Sequence, residues 1–143
     1  MTTTPLDRAW LAAHLPHQGA MNLLDAVVAW DETTLRARAS RHRDPAHPLR
    51  RGAELPATAG IEYGAQAAAA HGALTAGAPS GAGMIAAVRG VTFAARRLDD
   101  VDGDLDIFAE QLGSGAGGVL YRFEVAGAGR VLVAGRVTVA FAR

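Results

Sequence analysis

Two hydrophobic periods divide the chain. From Thr33 to Ser40 the positions Leu35, Ala37 and Ala39 alternate with Arg36 and Arg38, the two-residue period of a half-buried strand. That period returns in the C-terminal half. Leu105, Ile107 and Ala109 interleave with Asp104, Asp106 and Glu110, and Val119, Tyr121, Phe123 and Val125 with Arg122 and Glu124. Val131, Val133, Val137, Val139 and Phe141 share one parity, with Arg136 and Thr138 on the other. Met84 to Arg97 and Met21 to Trp30 read as two further strands. Glycine- and aspartate-rich stretches at 99–103, 113–118 and 127–129 supply turns. The intervening segment, about 57–76, is different. Pro56 sets a helix start, Gly77 and Pro79 supply the stop, and alanines cover nearly every side. A helix that is apolar all round is a buried one. A short helix is also expected over 4–15, with Thr4 as N-cap, Pro5 in the first turn and Pro16 as its end. Residues 41–56 carry Pro45, Pro48, Gly52 and Pro56 and no period. They read as a loop of a length that is usually functional or disordered.

Two strands, a loop, one buried helix and four antiparallel strands have an economical solution. A curved antiparallel sheet of five to six strands wraps the helix. That is an α+β hotdog architecture, expected as a single domain over 1–143. At 143 residues a second full domain does not fit. Half the residues are apolar and a fifth charged, which excludes intrinsic disorder. No run approaches the roughly 20 apolar residues of a membrane helix. The N-terminus lacks a basic stretch followed by an apolar one, so no signal peptide is expected and the cytoplasm is the expected location. The absence of cysteine excludes disulfides, thiolate zinc and a cysteine nucleophile. All 14 basic residues are arginine, which excludes lysine Schiff-base chemistry. A formal net charge of zero argues against a protein that coats nucleic acid or an anionic membrane.

Within this frame Glu62 stands out. It lies about one and a half turns into an apolar helix, where a carboxylate is costly unless paired, hydrogen-bonded or protonated. Thr58 and Gln66 lie at i−4 and i+4 on the same face, and Gln66 can orient a carboxyl through its amide. The spacing allows either a residue that faces water at the helix mouth or a general acid/base whose pKa desolvation raises. His14 reads as a surface residue and His71 as structural. His17 lies in the turn before the first strand, and His42 and His47 lie in the loop before the helix. A metal site from His42, Asp44 and His47 matches no common ligand spacing. No phosphate-binding glycine loop or nucleophile elbow is present. Arg36, Arg38, Arg41, Arg43, Arg50 and Arg51 crowd the region of the loop, as a docking patch or as a solvated face.

Leu15-Pro16-His17-Gln18-Gly19-Ala20-Met21-Asn22-Leu23-Leu24-Asp25 resembles the opening of 3-hydroxyacyl-acyl-carrier-protein dehydratases of the bacterial FabZ type. Pro56-Ala57-Thr58-Ala59-Gly60-Ile61-Glu62-Tyr63-Gly64-Ala65-Gln66 resembles the segment that opens that family's central helix. Within that family the chain resembles the divergent dehydratase-like subfamily found with aryl-polyene clusters, in which such a subunit can partner a second hotdog subunit. The resemblance implies a catalytic pair, a loop histidine matched by His47 and a helix acid from the other subunit matched by Glu62. His42 is the alternative to His47. Gln66, Gly60 and His17 would support the site. It also implies that the site needs no metal or organic cofactor, since the substrate brings its own phosphopantetheine. The substrate would be an acyl thioester on an acyl carrier protein or coenzyme A, and an acidic carrier would suit the arginine-rich region. The assembly would be a homodimer or higher oligomer, paired through the strand after the helix. The expected reaction is dehydration of a 3-hydroxyacyl thioester to a trans-2-enoyl thioester. A thioester hydrolase of the same fold and a non-catalytic partner subunit are the alternatives. Backbone N–H groups from Thr58 to Gly60 would stabilise charge on the thioester oxygen.

Overall fold

The computed structural model describes residues 6–15, 19–76, 83–115 and 117–141. Helix α1 is Arg8–His14, strands β1 and β2 are Ala26–Trp30 and Thr34–Ala39, and the central helix α2 is Ala59–Ala76. Strands β3 to β6 follow as Gly83–Phe93, Leu105–Gly115, Gly118–Gly127 and Arg130–Phe141. The six strands form one sheet in the order β1-β2-β4-β5-β6-β3, every neighbouring pair antiparallel. The hotdog architecture read from the pattern is the architecture found.

The two periods meet at the sheet's inner face. Leu35, Ala37, Leu105, Ile107, Ala109, Tyr121, Phe123, Val125, Val133, Val137 and Val139 are buried, as are Ala65, Ala67, Ala68, Ala69 and Ala70 of α2. The helix approaches so closely that two positions admit no side chain. A β-carbon on Gly60 would lie 2.8 Å from Val133 Cγ2, and one on Gly64 would lie 2.4 Å from the Phe123 ring.

Several boundaries differ from the sequence reading. The N-cap of α1 is Asp7, whose carboxylate accepts the Trp10 N–H at 3.1 Å. Thr4, Pro5 and Pro16 lie outside the described residues. Strand β1 starts at Ala26 rather than Met21. Leu23 and Leu24 are both buried, which one strand with a single buried face cannot arrange. Regular α-helix begins at Ala59, preceded by a tight turn in which the Ala59 and Gly60 N–H groups bond to the carbonyls of Pro56 and Ala57. The β4–β5 hairpin extends to Gly115 and Gly118, absorbing most of the expected turn. On β6 a register shift sets Val131 opposite Ala126. Val131 is therefore 42% exposed, while the adjacent Leu132 and Val133 are both buried.

Residues 41–55 are irregular yet firmly held. The Arg50 guanidinium donates to the carbonyls of Arg43, Asp44 and Ala53. Asp99 accepts the Leu55 N–H at 2.8 Å, and Arg97 beside it holds the Asp99 carboxyl down at about 2. Glu54 pairs with Arg96 and Arg97.

Candidate functional site

Helix α2 presents Glu62 and Gln66 along one side, as an i, i+4 pair must, and Thr58, in the turn just before the helix, continues that row into the cleft that Glu62 lines. Burial increases along that row: Thr58 is exposed, Glu62 half-buried and Gln66 fully buried. The Gln66 amide is used on both sides. Its Oε1 accepts the Leu23 N–H at 2.9 Å, and its Nε2 donates to the Met21 carbonyl at 2.7 Å and to Glu62 Oε1 at 3.4 Å. The glutamine thus ties the 21–23 segment to the helix and reaches back to the carboxylate. Gly60 faces Val133 and acts through close packing.

Glu62 lines a cleft of about 290 Å³ together with Leu49, Arg51, Pro56, Thr58, Ala59 and Ile61. Larger depressions exist on the opposite face of the sheet, but they contain neither Glu62 nor a histidine. The first-turn N–H groups of Ala59, Gly60 and Ile61 are engaged within their own turn. Among the described residues this leaves the Thr58 N–H as the donor of that stretch without a backbone partner.

His47 is 7% exposed and does not line that cleft. Its Nδ1 accepts the Leu49 N–H at 3.1 Å, so the ring proton sits on Nε2, which donates to Tyr63 Oη at 3.0 Å. Burial lowers its pKa to about 4, and the Arg41 and Arg50 charges act in the same direction. In this conformation the imidazole is neutral at pH 7 and has no free lone pair to accept a substrate proton. Tyr63, which the sequence reading passed over, is therefore its anchor. It is the one aromatic residue in an alanine-rich helix, and burial raises the pKa of its phenol.

The other histidines have plain roles. His42 is buried and its Nε2 donates to the Val101 carbonyl at 2.9 Å. His47 turns to Tyr63 and Asp44 accepts the Ala46 N–H, and among the described residues no three His, Asp or Glu side chains come together as a metal site. His71 is structural as expected, accepting from Tyr121 Oη at 2.8 Å and donating to the Asp31 carbonyl at 3.0 Å. His14 is half-buried rather than a surface residue, because it stacks on Trp10. His17 lies outside the described residues.

The six arginines of 36–51 do not form one patch. Arg36 and Arg38 point away from the helix. Arg38, Arg41 and Arg43 pair with Asp104, Asp25 and Asp102, and Arg50 is spent on carbonyls. Of the six, only Arg51 lines the Glu62 cleft.

Comparison with known proteins follows this geometry. The family model ApeP-like, described as ApeP dehydratase, matches residues 10–142. No curated protein sequence matches the chain. Among solved structures, the dehydratase heterocomplex ApeI:P from Xenorhabdus doucetiae superposes with a TM-score of 0.82 at 24% identity, covering 93% of this chain and 91% of that one. The PaaI protein of E. coli, from a phenylacetic acid degradation operon, gives 0.60 at 13% identity, with 84% and 83% covered. A mutant thioesterase from Pseudomonas aeruginosa gives 0.56 at 18%, with 80% and 78% covered. At these identities the structural likenesses establish the fold.

Proposed function

Since the chain belongs to the ApeP-like family of dehydratases, we propose that it dehydrates a 3-hydroxyacyl thioester, with Glu62 as its proton-transfer residue. The observation that carries this reading is the Glu62 carboxylate, held by Gln66 on the wall of a cleft whose other side chains are mostly apolar. In the proposed reaction a base removes the proton alpha to the thioester carbonyl. The carbon–oxygen bond to the beta hydroxyl breaks, and the protonated Glu62 carboxyl gives its proton to the departing hydroxyl. Water and a trans-2-enoyl thioester result. The Thr58 N–H, at the positive end of α2, is placed to stabilise charge on the thioester oxygen. The carrier, an acyl carrier protein or coenzyme A, would bring the phosphopantetheine arm past Arg51.

The base is proposed to arrive from a second hotdog subunit. His47 of a second copy fills that role if its loop releases the Leu49 N–H and the ring changes tautomer. The engagement of both ring nitrogens favours the other assembly, in which a different hotdog subunit supplies the base and this chain supplies Glu62. The Xenorhabdus doucetiae relative is a dehydratase heterocomplex, ApeI:P, which supports an assembly of two different subunits.

The test is hydration of a trans-2-enoyl thioester, followed by loss of its ultraviolet absorbance. Glu62→Gln is expected to lower the rate by roughly 10²–10⁴-fold, the worth of a positioned proton-transfer group. Full activity in Glu62→Gln would overturn the assignment. Release of free thiol from a saturated acyl thioester, without hydration of the enoyl one, would support the hydrolase instead. Loss in His47→Ala as large as in Glu62→Gln would place the base in this chain, and retention of activity there would place it in the partner.

A further inference from the structure

The outer face of the sheet, opposite α2, carries an arrangement that the dehydratase reading does not use. Arg89 of β3 stands directly opposite Arg136 of β6, and Arg136 directly opposite Arg122 of β5. Directly opposed residues share a face, and like charges so placed destabilise a sheet. Three arginines in one row across adjacent strands lie within about 10 Å along the row, at roughly 4.8 Å per strand.

Among the described residues only Arg122 of the three is neutralised. Arg122 bonds Glu110 at 3.1 Å and Glu124 at 2.8 Å, and its guanidinium lies 5.2 Å from the centre of the Phe108 ring. Both carboxylates are spent on that residue. Among the described residues Arg89 and Arg136 have no ion pair, and both are exposed. The three arginines wall a depression of about 370 Å³, completed by Gly90, Thr92, Ala134 and Gly135. Its floor is made of small residues, so a ligand can reach the backbone between the guanidinium groups. Gly90 adopts φ +58 at a break in the β3–β6 register, where a left-handed backbone turns the strand beside the depression.

We propose that this depression binds a small phosphate-bearing anion of the diphosphate class, through Arg89 and Arg136 with Arg122 as the third wall. Two guanidinium forks can each give paired donors to one tetrahedral oxyanion, and a dianion cancels the opposed charges. The site is complete within one chain and does not depend on the dehydratase reading.

Inorganic pyrophosphate is the probe, titrated calorimetrically into the full chain at low ionic strength, with sodium chloride matched for ionic strength as the control. Saturable binding is expected, weakened at least tenfold by Arg89→Gln or Arg136→Gln and unchanged by Arg36→Gln on the same face. Thermal melting separates binding from a merely structural role. Without pyrophosphate, each of the two variants is expected to melt higher than the parent, because opposed charges have been removed. With it, each loses the stabilisation that the parent gains. Absence of saturable binding beyond the chloride control would overturn the proposal. So would equal binding by the variants, or variants that melt lower than the parent in the absence of anion.

Discussion

A neutral, buried histidine with both nitrogens engaged makes stability depend on pH in a definite direction. The His47 pKa is depressed from about 6.5 to about 4, first by burial and then by Arg41 and Arg50. Between those values the unfolded chain takes up a proton that the folded chain refuses, so stability is full above pH 6.5 and falls as pH drops toward 4. His71, lowered by burial, acts in the same direction. The His47 contribution amounts to up to about 3 kcal/mol at 1.36 kcal/mol per unit. The urea midpoint is therefore expected to drop between pH 7 and pH 4, and His47→Gln is expected to flatten part of that slope. An unchanged slope in the variant would place the titration elsewhere. Tyr63→Phe is expected to cost roughly 1–3 kcal/mol by leaving the buried Nε2–H without an acceptor. At this scale the sequence was partly legible. Glu62 and Gln66 could be paired because helical spacing fixes i and i+4 neighbours. The partners of His47 could not be read, because Tyr63 is 16 residues away and only the folded loop brings the ring to it. The loop arginines looked like one patch only because they are close in sequence.

Helix α2 shows how packing overrides propensity. A glycine inside a helix costs roughly 1 kcal/mol relative to alanine, and α2 contains Gly60, Gly64 and Gly72 among abundant alanines. Gly64→Ala would ordinarily stabilise. Here the new methyl group would lie 2.4 Å from Phe123 Cγ and Cδ2, atoms close enough to the β5 backbone that the ring cannot swing clear without moving the strand. Overpacking of this kind typically costs about 1–3 kcal/mol or more, enough to outweigh the propensity gain. Gly64→Ala is thus expected to lower the melting temperature, and a rise would show that α2 can lift off β5 at no cost. An exposed helix glycine would behave in the opposite way, so sequence alone could not assign the sign. The same reasoning explains why β1 starts at Ala26 and not at Met21. Leu23 and Leu24 look like strand residues, but Gln66 captures the Leu23 N–H and removes it from any ladder.

At the scale of the whole molecule, β3 is an edge strand with more apolar surface than an edge should show. Ile85 pairs with Val139, Val88 with Val137 and Phe93 with Val133, partners that are all buried on the helix side of the sheet. Ile85, Val88 and Phe93 therefore face the same side, yet they are 39%, 39% and 46% exposed. The helix packs more closely on β6 than on β3 and leaves these β3 side chains partly open. An edge with free backbone groups and exposed aliphatic residues is a template for strand pairing, and the two-fold dimer is the commonest closed oligomer. We therefore expect the chain to associate through β3, with itself or with a second hotdog subunit, which would also bring a second chain toward the Glu62 cleft. Val88→Lys places a charge in the middle of that strip. By light scattering at micromolar concentration the parent is expected to associate, with itself or with an added second hotdog subunit, and the variant to stay monomeric in both cases. The variant should lose dehydratase activity although Glu62 is untouched, because half of the proposed site then has no source. A parent that stays monomeric alone but gains mass with a second hotdog subunit, an interaction that Val88→Lys abolishes, would assign the edge to the heterologous partner. A variant that associates as tightly as the parent would exclude β3 as the interface.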